Sequence, residues 1–218
     1  MHHFYAPGCA LTLYKPQLAD KFKTVIEQQY GPMDTWTSCC FNQTAPPEGA
    51  HLITPCATCA EQYAKQFPQC TTSFFLATLA ESDDFPFPDY GGKAMSIQDT
   101  CTARSYPEYL AAVRKLLERM NIRLVEPAKT GSKAKCCGQV LYGKASIEKV
   151  ENFMKTRAGE MPCEDVVVYC SSCIMSMTVG GRRPRYILDL LFGESTSLQA
   201  GITEWNQALR CYRNNEGK

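Results

Sequence analysis

Net charge is almost absent from this chain. Its 218 residues carry 23 Lys and Arg against 22 Asp and Glu, a formal net charge of +1. A balance that close excludes a global pull toward nucleic acid or an acidic membrane surface. Long apolar runs are missing too, and the stretches present fall far short of the roughly 20 residues of a membrane span. The start, Met1-His2-His3-Phe4-Tyr5, has no basic region followed by an apolar run, so no secretory leader is expected. Histidine is scarce, with only His2, His3 and His51. No Gly-x-Gly-x-x-Gly, P-loop or nucleophile elbow occurs, which argues against a nucleotide or flavin site. The ferredoxin-type run C-x2-C-x2-C-x3-C-P is absent as well. Electrons, if this chain handles them, must then arrive from another polypeptide.

What the sequence has is cysteine. Ten of its thirteen cysteines form two copies of one pattern: a lone cysteine, an adjacent pair, then C-x2-C. The first copy is Cys9, Cys39-Cys40 and Cys56-x-x-Cys59. The second is Cys101, Cys136-Cys137 and Cys170-x-x-Cys173. An odd total argues against complete disulfide pairing. In a reducing compartment clustered thiols more often bind metal or do redox chemistry. A cytoplasmic location is the expectation. Cys70, Cys163 and Cys211 lie outside the pattern and read as incidental.

The repeat extends beyond the cysteines. Strand-like segments at 2–6 and 94–98 lead into Cys9 and Cys101. Helical periodicity follows at 15–30, through Leu18, Phe22, Val25 and Ile26, and at 107–121, through Leu110, Val113, Leu116, Leu117 and Met120. Brief strands at 34–37 and 122–126 approach the adjacent pairs. Apolar strands at 51–55 and 166–169 run into the C-x2-C groups, and short apolar helices follow at 74–79 and 186–191. The spacers differ: 15 residues separate the pair from the C-x2-C in the first copy and 32 in the second. The excess corresponds to a helix over 145–158, where the first copy has only a Pro- and Gly-containing loop. Alternating strands and helices imply an α/β fold with a largely parallel sheet in each half. Two pseudo-symmetric lobes are expected, each a small mostly parallel sheet with flanking helices, its cysteines in loops after strands. The first lobe spans 1–85 and the second 94–218. Residues 86–93, rich in Pro and Gly, read as the linker. The tail after Gly201 shows one helical stretch, 203–213, and no motif.

Thiolates are soft ligands that select zinc, copper(I) or iron–sulfur clusters. A structural zinc site takes four ligands, usually from two C-x2-C knuckles, and each copy here has one. Ordinary cubane clusters also take four thiolates. Five per copy leaves two options: a cluster of unusual connectivity, or four ligands plus a reactive thiol.

Cys101, Cys136-Cys137-Gly138 and Cys170-x-x-Cys173 resemble the cysteine-rich CCG domain. That domain occurs in the B subunit of heterodisulfide reductase and in iron–sulfur subunits linked to lactate, glycolate and succinate oxidation. The resemblance implies two noncubane four-iron clusters facing a substrate cavity where a disulfide is split. Cys9, Cys39, Cys40, Cys56 and Cys59 would hold one cluster. Cys101, Cys136, Cys137, Cys170 and Cys173 would hold the other. The cluster irons would be the catalytic centre, with no separate catalytic side chain. It also implies an oxidoreductase subunit with a ferredoxin-like iron–sulfur subunit or a flavoprotein as electron donor, and a disulfide or anionic thiol as substrate. The first copy departs from the pattern, with Phe41 in place of the glycine and a shortened spacer. Zinc or a conventional cluster is the alternative there. Lys133, Lys135, Arg182, Arg183 and Arg185 flank the second ligand groups and are candidates for a basic surround. Other readings of the whole chain are an electron-transfer subunit of a lactate, glycolate or succinate type complex, and a zinc-stabilised interaction module.

Overall fold

A computed structural model of the chain describes residues 2–198 and 200–215. They divide into two compact units, 1–78 with 200–218 and 79–199. In the first, β1 (His3–Tyr5) is followed by α1 (Cys9–Tyr14), α2 (Pro16–Tyr30), β2 (Asp34–Thr35), β3 (His51–Thr54), α3 (Ala57–Gln66) and β4 (Thr71–Phe74). Next, α4 (Phe75–Ala80) leads from the first unit into the second. The second unit holds β5 (Lys93–Gln98), α5 (Pro107–Arg119), β6 (Ile122–Leu124), α6 (Ile147–Gly159), β7 (Asp165–Val168), α7 (Ser171–Val179), β8 (Arg183–Tyr186) and α8 (Ile187–Leu191). The last helix, α9 (Ile202–Asn215), belongs to the first unit.

Each unit carries a four-stranded sheet in which every pairing is parallel, in the orders β2-β1-β3-β4 and β6-β5-β7-β8. The inner strands read as unbroken apolar runs because parallel strands are covered on both faces. Leu52 and Ile53 of β3 and Val166, Val167 and Val168 of β7 are fully buried. The helices bury one stripe each, Leu18, Phe22 and Ile26 in α2 and Leu110, Val113, Leu116 and Leu117 in α5. Pro16 and Pro107 open these helices, where a missing N–H has no cost.

The duplicated α/β reading holds, and the sheets are wholly parallel. The fourth strands, β4 and β8, have no counterpart in the sequence reading. Thr71-Thr72-Ser73 and Arg183-Pro184-Arg185 lack an apolar run, because edge strands need none, and an edge tolerates proline. The contacts also place the tail differently from its position in sequence. Helix α9 packs on α1 and buries Ile202, Trp205 and Leu209, so it completes the first unit although it follows the second. By contacts the first unit ends at Thr78 and the second begins at Leu79.

In both sheets the chain leaves the first strand (β1, β5) for one neighbour and returns on its other side. The strand order therefore reverses between β1 and β3, and between β5 and β7. Crevices at such reversals, outside the carboxyl ends of the strands, are where open α/β sheets bind ligands.

The basic surround is not found. Arg183 and Arg185, with Lys93, surround the buried Asp165 carboxylate at the amino end of β7, the end away from Cys170; Nε of each arginine lies 2.6 and 2.7 Å from Oδ1. Arg182 donates to the Ala158 carbonyl, and Lys135 pairs with Glu160. Lys133 is solvent-exposed. Charge pairing within the unit takes up most of this group. Burial alone would raise the Asp165 carboxyl, but the three cations outweigh it and hold it at about 2. Since the unfolded value is about 3.9, this group's contribution is present above pH ~4 and is lost as pH falls toward 2. Asp165→Asn should lower the urea stability of the second unit by about 2 kcal/mol at pH 7. The same variant should flatten the stability loss between pH 4 and 2, measured by far-UV circular dichroism.

Candidate functional site

In the first unit the loops after β1, β2 and β3 bring Cys9, Cys39, Cys40, Cys56 and Cys59 together. Cys9 opens α1, and Cys56 occupies the N-cap of α3. The Cys59 amide donates to the Cys56 sulfur at 3.4 Å. Gly8 makes the close approach possible: its φ is +79°, and a Cβ there would lie 2.9 Å from the Cys59 sulfur. The adjacent pair sits in a turn closed by the Asn42 amide on the Cys39 carbonyl at 2.8 Å. The Tyr63 hydroxyl fastens that loop to α3 through the Ser38 carbonyl at 2.6 Å.

The second unit repeats this plan. Cys101 opens a short 3-10 turn (Cys101–Ser105) after β5, Cys136-Cys137 lie in the loop after β6, and Cys170 is the N-cap of α7. Gly138 has φ +104°. A Cβ on it would meet Phe153 at 2.9 Å and Met154 at 3.0 Å on α6, so the glycine lets the pair lie against that helix. In the first unit Phe41 holds the equivalent position without a positive φ, the spacer carries no helix, and the pair takes the Asn42-closed turn instead.

The sulfur contacts have the same order in both units. They run Cys9–Cys39–Cys40–Cys59–Cys56 and Cys101–Cys136–Cys137–Cys173–Cys170. Cys39 and Cys9 sulfurs lie 3.7 Å apart. All ten are free thiols. Thiol hydrogen bonds from its cysteine neighbours draw the first member of each pair, Cys39 and Cys136, well below the ordinary thiol range. The neighbours that donate, Cys9, Cys40, Cys101 and Cys137, are pushed up. Cys170 is lowered to about 7 by the Cys173 thiol, the amides of Ser172 and Cys173 and the Thr100 hydroxyl. Among the described residues, no three His, Cys, Asp or Glu side chains are grouped to hold a metal ion as they stand. Cys70, Cys163 and Cys211 join neither set. His51 lies at the amino end of β3, bonded to His3 and Ser73 at 3.0 and 2.7 Å.

Behind the second set lies a polar lock that sequence reasoning missed. Asp99, fully buried two residues before Cys101, receives both terminal nitrogens of Arg114 (3.0 and 2.9 Å). It also accepts the Tyr169 hydroxyl (2.9 Å), the Thr130 hydroxyl (3.0 Å) and the Gly131 amide (2.7 Å). Gln98 donates to the Lys135 carbonyl at 2.9 Å and accepts from buried Arg157 at 2.6 Å. Asp99, Lys135 and Tyr169 lie one or two residues before the three ligand groups, so one network ties all three loops. Tyr169 is a member of it through its hydroxyl on Asp99. The matching positions before Cys9 and Cys56 are Ala6, Pro7 and Pro55, whose side chains cannot build such a lock. The available signal was a Gln-Asp pair ending an apolar strand just before a cysteine.

The first unit has its own unanticipated residue. Arg213, in the tail that carried no motif, brings a positive charge to bear on Cys9, Cys39 and Cys40.

Residues 95–178 match the family model of the CCG cysteine-rich domain. The match takes in Cys101, Cys136, Cys137, Cys170 and Cys173 and leaves the first set outside. No curated protein matches the chain. The matched stretch lies within the unit that has Gly138, α6 and the Asp99 lock. Its gathered cysteines indicate an iron–sulfur or metal-binding redox role. Among the described residues, no helix is long and apolar enough to cross a membrane.

Burial alone would raise the Asp99 carboxyl, but Arg114 and the other donors hold it below its ordinary value. Its contribution is therefore present at neutral pH and lost on acidification. Asp99→Asn should cost about 3 kcal/mol, the scale for breaking a buried ion pair. Amide exchange over 126–137 should accelerate more than exchange in α5, as measured by mass spectrometry.

Proposed function

We propose that the chain is an iron–sulfur oxidoreductase component resembling the B subunit of heterodisulfide reductase, with a four-iron cluster on each five-thiol set. The observation that carries this reading is the repeated gathering of five thiols at the carboxyl rim of each sheet. Five soft donors exceed the four of a single tetrahedral zinc and suit a multi-iron body better. The donor set is soft and largely buried, and glycine at position 8 leaves the Cys59 sulfur room. The ligands would be Cys9, Cys39, Cys40, Cys56 and Cys59 in the first unit. In the second they would be Cys101, Cys136, Cys137, Cys170 and Cys173. Bound clusters would supply one-electron redox chemistry and sulfur-binding iron.

The chain's own residues prepare that chemistry. Helices α3 and α7 point their N-termini at the C-x2-C thiolates, where amide donors and the helix dipole favour negative charge. The Asp99 network keeps the second set's loops in register. In the second unit Cys101 is exposed while Cys137 and Cys173 are buried, so that set is approached from the Cys101 side. The reaction class is reduction of a disulfide: one S–S bond breaks, two electrons and two protons are taken up, and two thiols form. Two one-electron centres match that demand. The electrons would come from a ferredoxin-like or flavoprotein partner in the cytoplasm.

Anaerobically purified protein should contain about eight irons with matching sulfide. Cys136→Ser should alter one centre's EPR signal and abolish viologen-driven disulfide reduction while circular dichroism stays unchanged. Zinc without iron would overturn the redox reading. Iron-loaded protein that reduces no disulfide would overturn the substrate alone and leave an electron-transfer role.

A further inference from the structure

We infer that Arg213, seated on Phe41, is an electrostatic tuning residue of the first thiol set and raises that centre's reduction potential. The inference rests on the cluster reading above and adds a cation that acts on the first centre. Three observations carry it. The Arg213 guanidinium carbon lies 4.8 Å from the centroid of the Phe41 ring, a cation–π seat, and its charge acts on Cys9, Cys39 and Cys40. Its Nε is buried with no hydrogen-bond partner, an arrangement tolerated where the charge has anionic neighbours. The backbone is pinned as well, since Asn42 donates to the Arg213 carbonyl at 3.3 Å. Phe41 and Asn42 directly follow the Cys39-Cys40 pair, so the loop that carries two thiols also grips the cation.

A fixed full positive charge near a cluster stabilises its more negative, reduced state, and in a partly desolvated site that effect is large. Phe41, the departure from the Cys-Cys-Gly pattern, acquires a purpose here: its ring seats a charge brought in from α9.

The test is an EPR-monitored redox titration of the full-length, iron-loaded protein with iron analysis, comparing Arg213→Gln, Arg213→Lys and Phe41→Leu. In the Gln variant one midpoint should fall by about 59 mV, a tenfold change for a one-electron couple, while the other stays fixed. Lys should restore most of the shift, and Phe41→Leu should fall between. Loss of one centre's iron in the Gln variant with retention in the Lys variant supports the same assignment through occupancy. Full iron content with both midpoints unchanged in the Gln variant overturns the inference and leaves the cluster reading standing. Equal iron loss in the Gln and Lys variants assigns Arg213 a packing role and overturns it too. Absence of iron from the unmodified protein overturns both.

Discussion

Five cysteine sulfurs gathered at one rim cannot all ionise without compensation, and both units are organised around that constraint. Like charges a few ångströms apart, partly out of water, repel by several kcal/mol. Without a bound group the thiols share protons instead: one member of each adjacent pair is drawn down while its donors are pushed up. The parallel sheet supplies the first remedy. Every strand ends on the same rim, and the helices after β3 and β7 start there, so amide donors point at the C-x2-C sulfurs. The strand-order reversal opens the space in which three loops converge.

The two units meet the remaining demand by different means. The second uses rigidity. A buried carboxylate with five donors, an arginine shared with Glu126, and a second arginine on α6 fix the loops from behind. The loops need that support, because the stretch between β6 and the Cys136-Cys137 pair has only short 3-10 structure of its own. The first unit uses charge. Its corresponding positions are alanine and proline, its spacer is a loop, and its cation comes from the far end of the chain. Pro7 stiffens the approach to Cys9 and Gly8 leaves room for the Cys59 sulfur, where the other unit uses hydrogen bonds.

This contrast gives the family match a physical meaning. The CCG domain covers 95–178, the unit whose glycine, inserted helix and polar lock depend on one another. Gly138 answers two demands at once, a φ of +104° and α6 side chains within about 3 Å of where its Cβ would be. The first unit has neither, since Phe41 has no positive φ and its spacer carries no helix. Phe41 and the short spacer are thus one change rather than two.

The sequence alone determined the duplication, the α/β alternation and the two five-cysteine sets, because these rest on local order: spacing along the chain, apolar runs and helical periodicity. It located α6 from a spacer difference and singled out Phe41 as the point of departure. Tertiary structure alone decided the rest. The edge strands β4 and β8 have no pattern of their own and exist because a neighbour offers a free ladder. The basic residues after the second C-x2-C serve Asp165 at the opposite rim, since a strand carries its residues away from the site in a few steps of ~3.3 Å. Arg114 and Arg157 read as surface charges on helices until their partners at 98 and 99 are seen. Arg213 stands 171 positions from Asn42, its hydrogen-bond partner, and no local pattern encodes a contact that only the return of the last helix to the first unit creates.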